Sequence, residues 1–528
     1  MRGFTLCPMR GAIAAGHRLT AEAGAEILQE GGNAVDACLA AAFASWVAES
    51  TLTGPAAGGF LLVHRARDRS DRLLDFFVAL PGKGSVTPPE PHMESIDIDF
   101  GSTSQVYLIG EGSCAVPGAV AGMEAAHERY GSLPWSRLFD PAIALAREGV
   151  ELTSQQAYLH AILDLILRHS SEGRAIYGEQ EPIAVGGRVV MRDLASTLER
   201  LADGGAQELY QGELARDLVR FLAENGGLIT QADLENYRVI WRRPIRVSYQ
   251  GSEFASNPPP SSGGILIGYG LSLLDRLSAD GKPGSAEAIE SLVEVMREQS
   301  RARAGSFVGD LYRGGLARKL YDEGNVRAAL ERIRQREGTV REPAGAPGTT
   351  HISVVDGQGN AASLTASTGA GSGVIVPGTG IHMNNMLGEY DLNPPGRSMR
   401  PGTRLTSMMA PSIVLDREGP RLVVGSAGSI RLRGAILQNV VNVVHHGIPV
   451  EEAIEAPRVH FDDGLVHCEG GHDPAELERL EERGYELVRW RRRNLYFGGA
   501  AAVERRDDGS LAAAGDPRRG GHGIVVPG

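Results

Sequence analysis

Lysine is nearly missing from this chain: only Lys83, Lys282 and Lys319 occur among its 528 residues. Arginine carries the rest of the positive charge, and acids outnumber bases to leave a net charge of −12. That sign argues against nucleic acid as a partner. Cysteine is scarce as well. Cys7, Cys38, Cys114 and Cys468 stand far apart, without the close pairs of a redox or zinc motif. They read as free thiols in a reducing compartment, with no metal or other cofactor to hold. His445-His446 has no third ligand at useful spacing. No apolar run approaches the ~18–20 residues that span a bilayer, and Met1 to Pro8 lacks the apolar stretch of a signal peptide. The expectation is a cytoplasmic protein without a membrane partner.

What is present fits a globular chain: 42% apolar and 22% charged residues. Its length allows two or three domains, or one large domain with a divided core. Residues 10–60 read strand, helix, helix, strand. Thr20 is placed to cap the first helix, which stops at Gly31-Gly32. Asn33 with Asp36 forms a capping-box signal for the Ala-rich helix that follows. Residues 115–245 and 284–336 show helical periodicity. The Gly/Pro segment 343–348 is the clearest internal break, and beyond it β runs alternate with Asp-Gly and Gly-Asn turns. Periodicity alone gives a mixed α/β fold.

Directly after that break stands Gly348-Thr349-Thr350-His351, a threonine pair at the head of a predicted strand. If the bond before Thr349 is cut, its hydroxyl gains its own α-amine as a base, one established way to activate a weak nucleophile. In an uncut chain the same residue is an ordinary strand-entry threonine. Other motifs accompany it in order: Gly31-Gly32-Asn33-Ala34-Val35-Asp36-Ala37, Val116-Pro117-Gly118-Ala119, Gly226-Gly227-Leu228-Ile229-Thr230, Asn257-Pro258-Pro259-Pro260-Ser261-Ser262-Gly263-Gly264 and Gly425-Ser426-Ala427-Gly428-Ser429. With these, the chain resembles the gamma-glutamyltransferases over nearly its whole length. They are N-terminal-nucleophile (Ntn) hydrolases that cut themselves before such a threonine.

The resemblance implies an α/β (α+β) fold, the Ntn-hydrolase four-layer αββα sandwich, built jointly from two autoproteolytic fragments. Residues 1–348 would be the large subunit and 349–528 the small one. Gly348 and Thr349 would flank the cut, and Thr349 would be both nucleophile and, through its amine, general base. Ser367 falls where a second hydroxyl orients the nucleophile; it also suits an ordinary strand serine. Gly428 and Ser429 match a glycine pair whose backbone N–H groups form an oxyanion hole, and an ordinary tight turn would look the same. A homodimer of processed protomers is compatible with the resemblance.

The substrate positions depart from the family. Phe77, in Asp75-Phe76-Phe77-Val78, stands where an arginine grips the glutamyl carboxylate, and a phenyl ring cannot replace that clamp. Met386 replaces an amide after Asn385. Glu389, with Asp391 nearby, matches the acid that holds the substrate amine. Ser407 keeps one of a serine pair and Met408 replaces the other. Arg431 and Arg433, or Arg397, Arg400 and Arg404, offer cations from new directions. Lys83 and Glu49 read as structural residues. The implied activity is removal of an acyl group from a small acyl or amino-acid-like molecule through a Thr349 acyl-enzyme, released to water more than to an amine. Two alternatives stay open: hydrolytic C–C cleavage of an oxo-acid side chain in antibiotic biosynthesis of the alkylproline type, and an uncleaved, non-enzymatic binding homologue.

Overall fold

Two β-sheets carry the molecule, and each draws strands from both sides of the Gly348–Thr349 bond. The computed structural model describes residues 9–85, 91–99, 104–277, 281–335, 348–390 and 399–528. Cys7, the run 342–347, Asp391 and Arg397 lie outside the described residues. The seven-stranded sheet runs, in spatial order, His522–Val526, Gly11–Ala15, Thr350–Asp356, Ala361–Ser367, Gly58–Arg65, Ser70–Asp75 and Ile240–Arg242. The six-stranded sheet runs Leu511–Gly515, Gly499–Arg505, Pro420–Ala427, Ser412–Leu415, Ser252–Ser256 and Ile245–Tyr249. Both sheets thus combine strands of residues 1–348 with strands of 349–528, so neither part has a complete sheet of its own.

The central strands Thr350–Asp356 and Ala361–Ser367 are buried at every position. Burial on both faces demands a cover on each. Val355 and Ala361 face the second sheet and pack with Phe60, Phe77, Ile413 and Val423. Ile352, Val354 and Leu364 face the other way, onto the helices Arg18–Gln29 and Ala34–Ala48. The second sheet is covered in turn by Gly263–Leu277 and Leu432–Val440. The order helix, sheet, sheet, helix is the four-layer αββα sandwich. Helices between Ala119 and Glu235 extend the first helical layer, and those from Ala286 to Gln335 extend the second.

Local signals explain most element ends. Asn33 and Asp36 form the expected capping box, and the helix Ala34–Ala48 that it starts is buried at all fifteen positions. The first helix is capped by His17, not Thr20: the ring of His17 accepts from Leu19 N at 3.2 Å. Thr20 lies inside the helix because its hydroxyl donates to buried Glu49 at 2.8 Å. Among the described residues, no helix is long and apolar enough to cross a membrane.

Candidate active site

Thr349 immediately precedes the strand Thr350–Asp356 and is 5% exposed. Because strand side chains alternate, Thr350 turns to the helical layer while His351 and Ser353 turn to the second sheet. Burying them there requires partners. His351 Nδ1 and Thr365 Oγ1 are 2.8 Å apart, and His351 Nε2 and Ser353 Oγ are 2.9 Å apart. Burial lowers the His351 pKa to about 3, which keeps the ring neutral. The ring lies against the backbone of Gly425, where an added Cβ would come within 2.2 Å of it. The root of the candidate nucleophile is therefore rigid and uncharged.

Ser367 closes on the Gly348–Thr349 bond. Its hydroxyl donates to the Gly348 carbonyl oxygen and accepts from Gly369 N at 2.8 Å. Gly348 has no room for a side chain, since a Cβ there would lie 1.5 Å from Gly369 O. Thr349 and Ser367 line one cleft with Gly348, Phe77, Met386, Glu389, Ser407, Met408, Met409, Ser429 and Leu432. The cleft encloses only about 20 Å³, the room of roughly one water. From this packing, Gly348→Ala is expected to abolish the cut or prevent folding around it. The measurement is intact mass on freshly purified chain, and normal cutting at position 348 would refute the steric argument.

Gly428 and Ser429 form the turn between the strand Pro420–Ala427 and the helix Leu432–Val440. Gly428 has φ 116° and Ser429 has φ 51°. A left-handed serine is strained by roughly 1–3 kcal/mol, and such strain clusters at functional sites. The helix that follows adds the partial positive charge of its N-terminus to the turn.

The substrate positions divide into those in the cleft wall and those behind it. Phe77 is 1% exposed and stacks on Phe60, ring centres 5.5 Å apart. Its backbone is fixed by Asp75 Oδ1, which accepts from Phe77 N at 3.0 Å, and by Tyr237, whose hydroxyl donates to Phe77 O at 2.8 Å. Ser407 is held by its carbonyl, which accepts from Ser262 N at 2.7 Å, and its hydroxyl accepts from Met409 N at 3.0 Å. Glu389 reaches Gly369: its Oε1 lies 2.8 Å from where a Cβ on Gly369 would sit. Asn385 is not in the wall. Its Oδ1 accepts from Ala370 N at 2.9 Å and its Nδ2 donates to Leu108 O at 3.2 Å, so it shapes the loop beside Ser367.

None of the described arginines named as compensating cations lines the cleft. Arg431 lies over the Tyr496 ring, its Cζ 4.5 Å from the ring centre. Arg433 is buried and donates to Ser300 Oγ at 2.9 Å. Arg404 is buried against Asp75, Nε to Oδ1 3.2 Å, and over the Tyr237 ring at 4.4 Å. Arg400 is exposed. The wall is formed instead by Phe77, Met386, Met408, Met409 and Leu432, with one carboxylate.

Glu49 is the residue that sequence reasoning undervalued. It is 6% exposed and accepts from Thr350 Oγ1 at 2.6 Å. Burial raises its pKa, while the Thr350 and Thr20 hydroxyls and the charge of Arg519 pull the other way. A signal was available: an acid directly after a helix with no polar face has nowhere to go but inward.

Known proteins carry the same architecture and more. A family model described as gamma-glutamyltranspeptidase matches residues 20–526. An acylase ACY 1 proenzyme from Pseudomonas sp. (strain SE83) is 33% identical, over 98% of this chain and 94% of its own length. A glutathione hydrolase proenzyme from Escherichia coli (strain K12) is 30% identical, over 96% of this chain and 90% of its own. The crystal structure of cephalosporin acylase from Bacillus halodurans superposes with a TM-score of 0.83 over 100% of this chain and 98% of that one. At 24% identity, that last likeness speaks for the fold. With the family model spanning nearly every described element and both proenzyme relatives aligned end to end, the chain belongs to the gamma-glutamyltranspeptidase family, whose members are Ntn-hydrolase enzymes.

Proposed function

We propose that this chain cuts itself at Gly348–Thr349 and then removes an apolar acyl group from a small molecule by hydrolysis. The observation that carries the reading is one cleft in which Thr349, Gly348 and Ser367 meet the Gly428–Ser429 turn under a wall of Phe77 and three methionines. In self-cleavage, Thr349 Oγ attacks the Gly348 carbonyl carbon while the Ser367 hydroxyl polarises the carbonyl oxygen. The C–N bond breaks as the acyl chain shifts to oxygen. Water then hydrolyses the ester, leaving a Gly348 carboxylate and a free Thr349 amine. Gly348 itself forms part of the cleft wall, so the same cut frees the base and opens space for substrate.

In turnover, the neutral amine takes the proton of the Thr349 hydroxyl, and Oγ attacks the acyl carbon. Backbone N–H groups of Gly428 and Ser429 would receive the developing negative charge. The leaving group departs with the proton, and water releases the acid. A reference α-amine pKa of about 7.7–8.0 places this base near working pH. The large fragment 1–348 and small fragment 349–528 stay together because both sheets need both.

The apolar wall sets the substrate class. A γ-glutamyl group would bring a carboxylate next to Phe77, and an unpartnered charge in a closed site loses several kcal/mol. An apolar acyl group loses nothing there. The acylase relative, 33% identical across 98% of the chain, supports acyl removal as the reaction. The test is kcat/KM on p-nitroanilides of γ-glutamate, glutarate, hexanoate and phenylacetate. The expected result is that the best apolar amide exceeds γ-glutamyl by about 10²-fold or more. A γ-glutamyl preference would overturn the substrate reading while leaving self-cleavage intact.

A further inference from the structure

Pairing around Thr350 is lopsided. The strand Ala361–Ser367 follows the nucleophile strand down to Thr350, pairing it with Ala366. On the other flank, Gly11–Ala15 pairs only from Asp356 to Ile352. Thr350 and His351, the first residues of the strand after Thr349, are therefore laddered on one side only. On the helical side of this stretch sits Glu49, whose Oε2 accepts from Thr350 Oγ1 at 2.6 Å and whose Oε1 accepts from Thr20 Oγ1 at 2.8 Å. Gly16 admits it: a Cβ there would stand 2.4 Å from Glu49 Oε2. Arg519 supplies an opposing charge to Glu49 and reaches on beneath the oxyanion turn. Its Nη2 lies 3.8 Å from where a Cβ on Gly428 would sit.

We infer that Glu49 is a positioning residue for the nucleophile, holding the new N-terminus of the cut chain through Thr350 and, through Arg519, keeping it in register with the Gly428–Ser429 turn. The inference rests on the self-cleavage reading above. Before the cut, Thr349 is tied covalently on both sides. After it, Thr349 hangs from Thr350 alone, and chain ends fray unless something ties them. Displacing a reacting group by about an ångström loses on the order of 10²-fold in rate. The anchor thus matters more to the processed enzyme than to the precursor, which already has a covalent tether. Glu49 touches neither substrate nor reacting atoms, so it acts only through Thr350 and Arg519.

Three full-length variants test this: Thr350→Val, which removes the hydroxyl at nearly constant volume, Thr350→Ser, which keeps it, and Glu49→Gln. Intact mass follows self-cleavage, and the p-nitroanilides above give kcat and KM. Thr350→Val is expected to be cut at the same bond yet to lose roughly 10–100-fold in kcat, with KM within about twofold. Its Tm should stay within about 3 °C of wild type. Thr350→Ser should recover kcat to within about threefold, and Glu49→Gln should resemble Thr350→Val. The double variant should lose no more than either single, since both remove one contact. Thr350→Val with wild-type turnover, or Thr350→Ser as impaired as valine, overturns the inference alone. Should Glu49→Gln not fold, the Thr350 pair decides. A wild-type chain that stays uncut overturns both this inference and the reading on which it rests.

Discussion

Thr349→Ala is expected to remain a single 528-residue species and to release no acyl group, where wild type is expected to give two fragments with the smaller beginning at Thr349. In the proposed mechanism one oxygen carries both steps. Without it, the Gly348 carbonyl has no attacker, although Ser367 still donates to its oxygen. Without the cut there is no free amine either, so nucleophile and base vanish together. Losing both leaves at most background turnover, a drop on the order of 10⁴-fold or more. Thr349→Ser keeps the oxygen and should still be cut. Denaturing electrophoresis with intact mass and N-terminal sequencing reads the result. Two fragments from the alanine variant would mean that another group performs the cut and would remove Thr349 from the mechanism.

The pH dependence of the processed enzyme follows from the same residue. The base works neutral, so turnover should rise with pH through the amine's pKa and level off above it. His351 adds no second limb near neutrality, because burial keeps it uncharged down to about pH 3.

Much of this architecture was legible before any coordinates. The strand–helix–helix–strand opening, the Asn33–Asp36 capping box and the strand after Thr349 follow from local chemistry, and they stand as expected. Local chemistry failed where a side chain had a distant partner. Thr20 has the right type for a helix cap, but Glu49, 29 positions on, claims its hydroxyl. Asn385 has the right type for a substrate ligand, but Ala370 and Leu108 occupy its amide. Arg404 looked free to meet a substrate carboxylate, but Asp75, 329 positions earlier, pairs with it in the core. In each case residue type was readable and orientation was not, because a strand or helix sets orientation only once its tertiary partner is known. The stacked sandwich was readable only through motif resemblance. Sheets assembled from strands on both sides of residue 348 leave no periodic trace in either part.

The second large effect belongs to Arg518, whose replacement by leucine is expected to unfold the part of the sandwich built from residues 349–528 at a markedly lower temperature. Its guanidinium is fully buried between two carboxylates, Glu469 and Asp516, with Nη1 to Asp516 Oδ1 at 3.1 Å and Nε to Glu469 Oε1 at 2.7 Å. Its remaining protons go to the carbonyls of Ile454 at 2.9 Å and Ala456 at 2.8 Å. Arg458 then balances Asp516 from the other side at 2.7 Å. Leucine fills much of the volume but leaves the two buried carboxylates without the cation that lies between them. Breaking such a set from one side typically removes about 3–5 kcal/mol. The apparent Tm should fall by on the order of 5 °C or more. Arg506→Ala is the matching control: that pair with Glu451 is 43% and 48% exposed, and its loss should barely register.

Acid gives the same cluster a sign. Burial pushes the Asp516 carboxyl up, but Arg458 and Arg518 pull it further down, so its folded pKa lies below the ordinary value. Its stabilisation is therefore complete above the unfolded value of about 3.9 and is lost as pH falls through the lower, folded one. Wild type should thus resist acid until below about pH 4, and Arg518→Leu, lacking one of the two cations, should melt at higher pH. The cluster also braces the site. Arg458 Nη1 donates to Phe497 O at 3.1 Å, and Gly498 Cα stands 3.0 Å from where a Cβ on Gly428 would sit. Loosening the charges should therefore slow self-cleavage at temperatures where the fold still holds. Equal Tm values and equal cutting rates for wild type and Arg518→Leu would show that the cluster neither stabilises the sandwich nor supports the Gly428–Ser429 turn.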